Sequence, residues 1–257
     1  MADSPFSLHG KVALVTGLAN RDSIAFGCAQ AMHRAGARVV VTHMPGAERF
    51  VQGLAEALGE AELLPCDVQD DAQLAGLFEH IASRHGRLDA VVHSIAYAPP
   101  EDLRGRLVDA SRDGFLLAMD VSCHSFLRMA RLAEPLMPEG GTLLNMSYLG
   151  AERVVDNYAL MGPVKAALES MTRYLAAELG PQGIRVHAVS PGPIRTRAAS
   201  GLKDFDALAD ASEARAPLRR LATVEDVGNA VVYLASPAGA ANTGGVHYVD
   251  GGDNIRY

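Results

Sequence analysis

Residues 11–27 read KVALVTGLANRDSIAFG. The first six, rich in Val and Leu, have the pattern of a buried β-strand, and Gly17 follows at once, where a missing Cβ permits a tight turn. Ser23 then stands ahead of an Ala-rich run, residues 23–35, which stops at Gly36, a helix terminator. A strand, a turn and a helix in that order point the free N–H groups and positive dipole end of the helix past the strand, where a pyrophosphate can bind. Ser23 adds a hydroxyl donor or an N-cap, and Ala25 and Gly27 are small enough to let the helix approach the sheet closely. The loop is not GxGxxG: five residues lie between Gly17 and Ser23, and the middle glycine is missing. Alone it is a weak signal, and a turn that binds nothing competes with it.

The same alternation continues along the chain. Strand-like runs lie at 37–42, 61–65, 88–94, 141–147, 184–190 and 246–250, separated by helical stretches at 47–58, 112–135, 158–179 and 225–235. Leu74, Leu77, Phe78 and Ile81 keep the i, i+3, i+4, i+7 spacing of an amphipathic helix. Continuous apolar strands joined by helices predict a parallel sheet covered on both faces. The expected architecture is α/β: one doubly wound Rossmann domain over 1–257, its seven-stranded parallel sheet flanked by helices, with ligands beyond the strands' carboxyl ends.

Nothing in the 257 residues resembles a linker. A net charge of -7 with no Lys/Arg cluster argues against a nucleic-acid partner. Cys28, Cys66 and Cys123 are odd in number and far apart, which suits reduced thiols rather than a disulfide framework. No HExxH-type pair indicates a metal site. Neither a leader-like start nor a run of membrane-spanning length is present, so no membrane and a cytoplasmic location are expected.

The strand ends carry the candidate nucleotide contacts. After the second strand comes Thr42-His43-Met44-Pro45, with no acid for a ribose and no cation for a 2′-phosphate, Arg49 being the nearest. That favours NADH modestly over NADPH, without excluding the latter. Asp67 follows the third strand, where a carboxylate accepts from an adenine amino group beside Val68; a helix N-cap explains Asp67 equally well. Ser94, Ile95 and Ala96 close the fourth strand, two small residues around a bulky one, as a backbone passing near a cofactor or a tight turn requires.

The decisive segment is 147–165, SYLGAERVVDNYALMGPVK. Tyr148 ends the fifth strand. Asp156 or Asn157 is expected to cap the next helix, so that Tyr158 and Lys165, almost two turns apart, share one face. At the mouth of a nucleotide cleft, Lys165 can hold ribose hydroxyls while Tyr158 donates to an oxygen that becomes negative during hydride addition. Taken singly, a core tyrosine and an exposed helix lysine are the commoner readings; behind this sheet the pair reads as catalytic.

At this point 17–27, 93–99 (HSIAYAP), 147–157, Tyr158 with Lys165, and 192–201 (GPIRTRAASG) resemble the bacterial enoyl-acyl-carrier-protein reductases, a branch of the short-chain dehydrogenase/reductases. The resemblance spans about residues 8–254. Ordinary members of the superfamily carry a Lys four residues after the Tyr and a Ser thirteen before it; here those positions are Gly162 and Asn145.

The resemblance implies an NADH-dependent enoyl reductase of fatty-acid synthesis, acting on an enoyl thioester of acyl carrier protein, and a homotetramer. Tyr148, Tyr158 and Lys165 would be catalytic. Gly17, Ser23, Ile24, Met44, Asp67, Val68, Ser94, Ile95, Ala96, Lys165, Ile194 and Thr196 would meet the dinucleotide. Ala98, Tyr148, Tyr158, Met161, Ala199 and Phe205 would meet the substrate, under a lid at about 195–215 whose mobile part is 199–208. Ser190-Pro191-Gly192-Pro193 looks more like the wider superfamily, which keeps an alcohol or ketone oxidoreductase as the first alternative. A catalytically silent dinucleotide-binding protein is the second.

Overall fold

Seven parallel strands run in the spatial order β3-β2-β1-β4-β5-β6-β7 in the computed structural model, which describes residues 4–59, 61–196 and 199–256. They are β1 Val12–Thr16, β2 Arg38–His43, β3 Glu62–Pro65, β4 Ala90–His93, β5 Gly141–Met146, β6 Ile184–Pro191 and β7 Val246–Val249. The expected doubly wound sheet is therefore present. The order reverses between β1 and β4, which pair as Ala13 with Ala90 through Thr16 with His93. Their carboxyl ends diverge into the crevice where such folds bind ligands.

The helices are α1 Ile24–Arg34, α2 Glu48–Val51, α3 Asp71–His85, α4 Pro100–Arg104, α5 Arg112–Met119, α6 Ser125–Ala133, α7 Met161–Leu179, α8 Phe205–Arg215 and α9 Val224–Ala235. Alternate strand residues enter two cores. Leu14, Val40, Val91, Leu143 and Val186 pack with Phe78, Phe126 and Leu168 on one face. Ala13, Val15, Val39, Val41, Val92 and Leu144 pack with Phe26, Met32 and Val231 on the other. Burial on both faces is why these strands read as unbroken apolar runs.

Local chemistry sets several boundaries differently from the sequence reading. Gly27 serves helix–helix rather than helix–sheet contact: a Cβ there would lie 2.2 Å from the Val224 carbonyl oxygen, and one on Gly228 would lie 2.4 Å from that of Gly27. The two glycines let α1 and α9 meet backbone to backbone. Helix 47–58 shortens to α2 and two 3-10 turns. The run 112–135 is helical throughout but passes through a π turn at Asp120–His124 between α5 and α6.

The largest difference concerns Tyr158. Helix α7 begins at Met161 with Leu160 as its N-cap, and neither Asp156 nor Asn157 caps it. Asn157 instead takes φ +60°, a left-handed conformation that Asn tolerates better than most residues, and the following turn is closed by Met161 N–H donating to Tyr158 O. Tyr158 and Lys165 therefore do not share a helix face.

Two buried histidines are expected to make the fold acid-sensitive. His93, fully buried, donates from Nε2 to Ser125 Oγ (2.7 Å), because that hydroxyl itself donates to Val121 O. His187, also fully buried, lies with Nδ1 3.2 Å from His247 Nε2. Burial lowers both to a pKa of about 3, with Lys165 adding to the effect at His93, and His247 and Arg185 adding to it at His187. The unfolded chain binds these protons near pH 6.5 while the native state refuses them, so stability falls as pH drops below that value. The loss is about 2 kcal/mol per histidine at pH 5. The gap between urea midpoints at neutral and acid pH is expected to narrow in the His93→Gln, His187→Gln double variant, with His85 and His247, also lowered by burial, keeping part of it; an unchanged gap refutes the assignment.

Candidate active site

One cavity of about 760 Å³ opens over the carboxyl ends of the strands. Its floor is the switch point. Gly17 has φ +92°, and a Cβ there would sit 2.2 Å from the Ser94 carbonyl oxygen. Gly17 and Leu18 both donate N–H to Thr42 O, fixing the turn to the end of β2. Ser23 caps α1, accepting from Phe26 N–H (3.3 Å) while its hydroxyl donates to Asn20 O (2.7 Å). Asp67 is not a helix cap: that role belongs to Asp70, which accepts from Ala72 and Gln73 N–H, while Asp67 lines the cavity.

The cavity gathers Gly17, Ser23, Ile24, Met44, Asp67, Val68, Ser94, Ile95, Ala96, Ile194 and Thr196 with Tyr148, Tyr158, Lys165, Ala199 and Phe205. Ala98 and Met161 are outside that lining; both are buried in the core behind it. Sequence reasoning missed Leu117 and Val121, which enter the cavity from α5 and the π turn. Their i, i+4 spacing marks a helix face, but nothing local says that this face meets the cleft. Cys66 and Tyr97 also line it unannounced.

The Tyr148 and Tyr158 rings meet at 4.7 Å between centroids and 59° between planes. Gly150 makes room for this, since a Cβ there would approach the Tyr158 ring to 2.5 Å. Burial raises the pKa of Tyr158, with Tyr148 adding to it, and burial also raises Tyr148 to about 12. Both phenols are protonated at neutral pH and so carry a proton to donate. Lys165, only 4% exposed, donates to Met146 O at 2.6 Å. Burial lowers its pKa to about 8, Cys123 and Glu169 opposing the fall. Two of its three ammonium protons remain for a ligand.

The segment from 195 to 215 covers one wall, though positions 197 and 198 lie outside the described residues. Its alanine-rich part is helical rather than an irregular loop: a 3-10 turn at Ala199–Gly201, then α8. Alanine's helix propensity accounts for this. Three arginines hold it: Arg104 Nε donates to Gly201 O, Arg195 pairs with Asp206 and Asp210, and Arg215 pairs with Asp253, which also accepts from Ser212.

Asn145, at the position thirteen before Tyr158, is fully buried and donates to Thr172 Oγ1 (2.8 Å) rather than facing the cavity. At that position, therefore, no serine hydroxyl faces the cleft.

Residues 17–254 match the family model for enoyl-(acyl carrier protein) reductase. This chain belongs to that family. It is 47% identical to the enoyl-[acyl-carrier-protein] reductase [NADH] of Bacillus cereus, over 96% of this chain and 98% of that one. It is 46% identical to the enzyme of the same name from Salmonella typhimurium, over 96% and 95%. Among solved family structures, the B. cereus reductase with NADP+ and an indole naphthyridinone superposes with a TM-score of 0.94 at 47% identity, covering 97% of this chain and 98% of that one. The Anaplasma phagocytophilum reductase in complex with NAD gives 0.93 at 44% identity, covering 96% and 95%.

Proposed function

We propose that this chain is an NADH-dependent enoyl-[acyl-carrier-protein] reductase of fatty-acid biosynthesis, saturating a trans-2-enoyl thioester. The observation that carries the reading is the convergence of two protonated phenols and a buried lysine on one cavity beside the glycine turn. The cavity fits a dinucleotide: its floor at Gly17 has no room for a Cβ, and the N-terminus of α1 opens onto it. Gly17, Ser23, Ile24, Ser94, Ile95, Ala96, Ile194 and Thr196 would hold the pyrophosphate and nicotinamide half, and Met44, Asp67 and Val68 the adenosine. When bound, the dinucleotide supplies the hydride for the substrate β-carbon.

The chain's own residues do the rest. Tyr158 donates a hydrogen bond to the thioester oxygen as negative charge develops there, stabilising the enolate. Tyr148, packed on it, fixes that phenol and walls the acyl channel together with Ala199 and Phe205. Lys165, pinned to Met146 O, holds ribose hydroxyls and supplies positive potential. Helix α8 excludes water from the reacting carbons. Protonation at the α-carbon, ultimately from solvent, completes the reaction.

The preference for NADH is supported by the end of β2, where no cation waits for a 2′-phosphate. Arg49 lies over the Phe50 ring at 4.5 Å and outside the cavity lining. A homotetramer is supported by two unlike free surfaces, the outer edge of β7 and the exposed Phe115, Leu116, Leu127 and Tyr174 of the long helices. Dihedral assembly needs two such interfaces. A cytoplasmic site of action suits three buried, unpaired cysteines, and no helix among the described residues is long and apolar enough to cross a membrane.

The deciding assay follows oxidation of NADH and NADPH with an enoyl thioester and, separately, a 3-ketoacyl thioester. Turnover of the enoyl substrate with NADH is expected; activity confined to the ketone overturns the reading.

A further inference from the structure

The carboxyl end of β5 is stitched to α7 by three successive side-chain bonds. Asn145 Nδ2 donates to Thr172 Oγ1 (2.8 Å), Lys165 Nζ to Met146 O (2.6 Å), and Ser147 Oγ to Glu169 Oε1 (2.5 Å). The first is a neutral pair away from the cavity. The last is not. Glu169 is 4% exposed, and carboxyls are seldom so deeply buried without a partner, because losing hydration penalises the charged form. The chemistry derived above gives it no task.

Its place suggests one. Ser147 lines the cavity and immediately precedes Tyr148, so the hydroxyl that Glu169 holds belongs to the peptide from which that phenol projects. Glu169 also stands four residues after Lys165 on α7, close enough for its charge to act on the ammonium, although the two form no direct ion pair: Lys165 Nζ donates to Met146 O and Glu169 accepts from Ser147.

Of the groups around Lys165, the Cys123 sulfur opposes the fall of its pKa more than Glu169 does, but only as a thiolate would it carry charge. Cys123 comes from the π turn as a buried thiol, His93 from β4 is neutral, and Tyr158 is a protonated phenol. Glu169 in turn is faced by Glu152 from the turn after β5, Tyr248 from β7, and Arg173 and Lys165 on its own helix. Burial raises its pKa and Glu152 adds to the rise, while Ser147, Arg173 and Lys165 oppose it.

We propose that Glu169 is a positioning residue of the reduction, holding the Ser147–Tyr148 strand end in place and adding negative charge beside Lys165. The task assigned to Lys165 rests on the reductase reading; the Glu169–Lys165 coupling does not, and the test separates them.

The test compares wild type with Glu169→Gln, which keeps an acceptor for Ser147 at nearly the same volume, and with Glu169→Asp, which keeps the charge. Lysine-labelled protein is titrated by NMR to read the Lys165 ammonium directly, with no ligand present. The pH dependence of NADH affinity and of kcat/KM on an enoyl thioester is then measured. In Glu169→Gln the Lys165 midpoint is expected to fall by about one pH unit, since an opposite charge nearby favours the charged form. The alkaline decline of NADH affinity and kcat/KM should move with it. Glu169→Asp should restore much of the wild-type profile. A folded Glu169→Gln protein, checked by circular dichroism, whose Lys165 titrates as in wild type overturns the proposal. Failure of wild type to turn over any enoyl thioester overturns the reductase reading instead, and leaves the NMR result standing on its own.

Discussion

Replacing Tyr158 by Phe is expected to leave NADH affinity near its wild-type value and to lower kcat on an enoyl thioester by on the order of a hundredfold or more. The ring stays, so its packing against Tyr148 at 4.7 Å and over Gly150 is retained and the fold should not notice. Only the donor goes. Burial holds the Tyr158 phenol protonated well beyond neutral pH, so in wild type it always has a proton to offer the developing oxyanion. In water-poor surroundings such a donor matters more to the transition state than to the ground state, because charge appears there only as the hydride arrives. The loss should therefore fall on kcat, with KM little changed. Stopped-flow single turnovers and a fluorescence titration of NADH separate the two. Wild-type turnover in this variant removes Tyr158 from the chemistry.

Gly17→Ala should abolish useful cofactor binding and destabilise the protein by about 2–4 kcal/mol, combining a left-handed backbone with overpacking. At φ +92° any Cβ is strained, and this one would lie 2.2 Å from the Ser94 carbonyl oxygen and 3.1 Å from Ile95. Both neighbours are strand-end backbone or its first side chain, so relief requires β1 and β4 to part at the switch point. That movement would also pull Gly17 and Leu18 from Thr42 O, opening the turn meant to cradle a pyrophosphate. NADH titration and a thermal melt check both halves. A stable variant with undiminished affinity refutes the assigned role of this turn.

How far each part was legible depends on the range of the forces that place it. Strands such as 11–16 and 184–190 could be read because burial on both faces writes itself as a continuous apolar run. Ser23 could be read because a cap is a contact three residues long. Tyr158 was chosen correctly as a lining residue but for a partly wrong reason. The expected cap at Asp156 or Asn157 gave way to a left-handed turn at Asn157, and the turn, not a shared helix face, swings the phenol onto Tyr148. Leu117 and Val121 were missed because only the packing of α5 and the π turn at Asp120–His124 against the cleft brings them to it, and no residue pattern announces that packing. Ala98 and Met161, drawn from resemblance alone, fall behind the lining.

The amino-acid sequence by itself determined the alternation of strand and helix, hence a doubly wound parallel sheet, and it determined which strand ends carry small, hydroxyl or phenolic side chains. Those are consequences of local propensity and of apolar periodicity, which act over a few residues. Only the tertiary structure decided which of these groups meet. It set Gly17 against Ser94, bonded Glu169 to Ser147, tied Arg215 to Asp253, and let α1 touch α9 through two glycines. Each of these contacts joins residues far apart in the chain, and their geometry depends on how the two cores pack around the sheet rather than on any preference of the residues themselves.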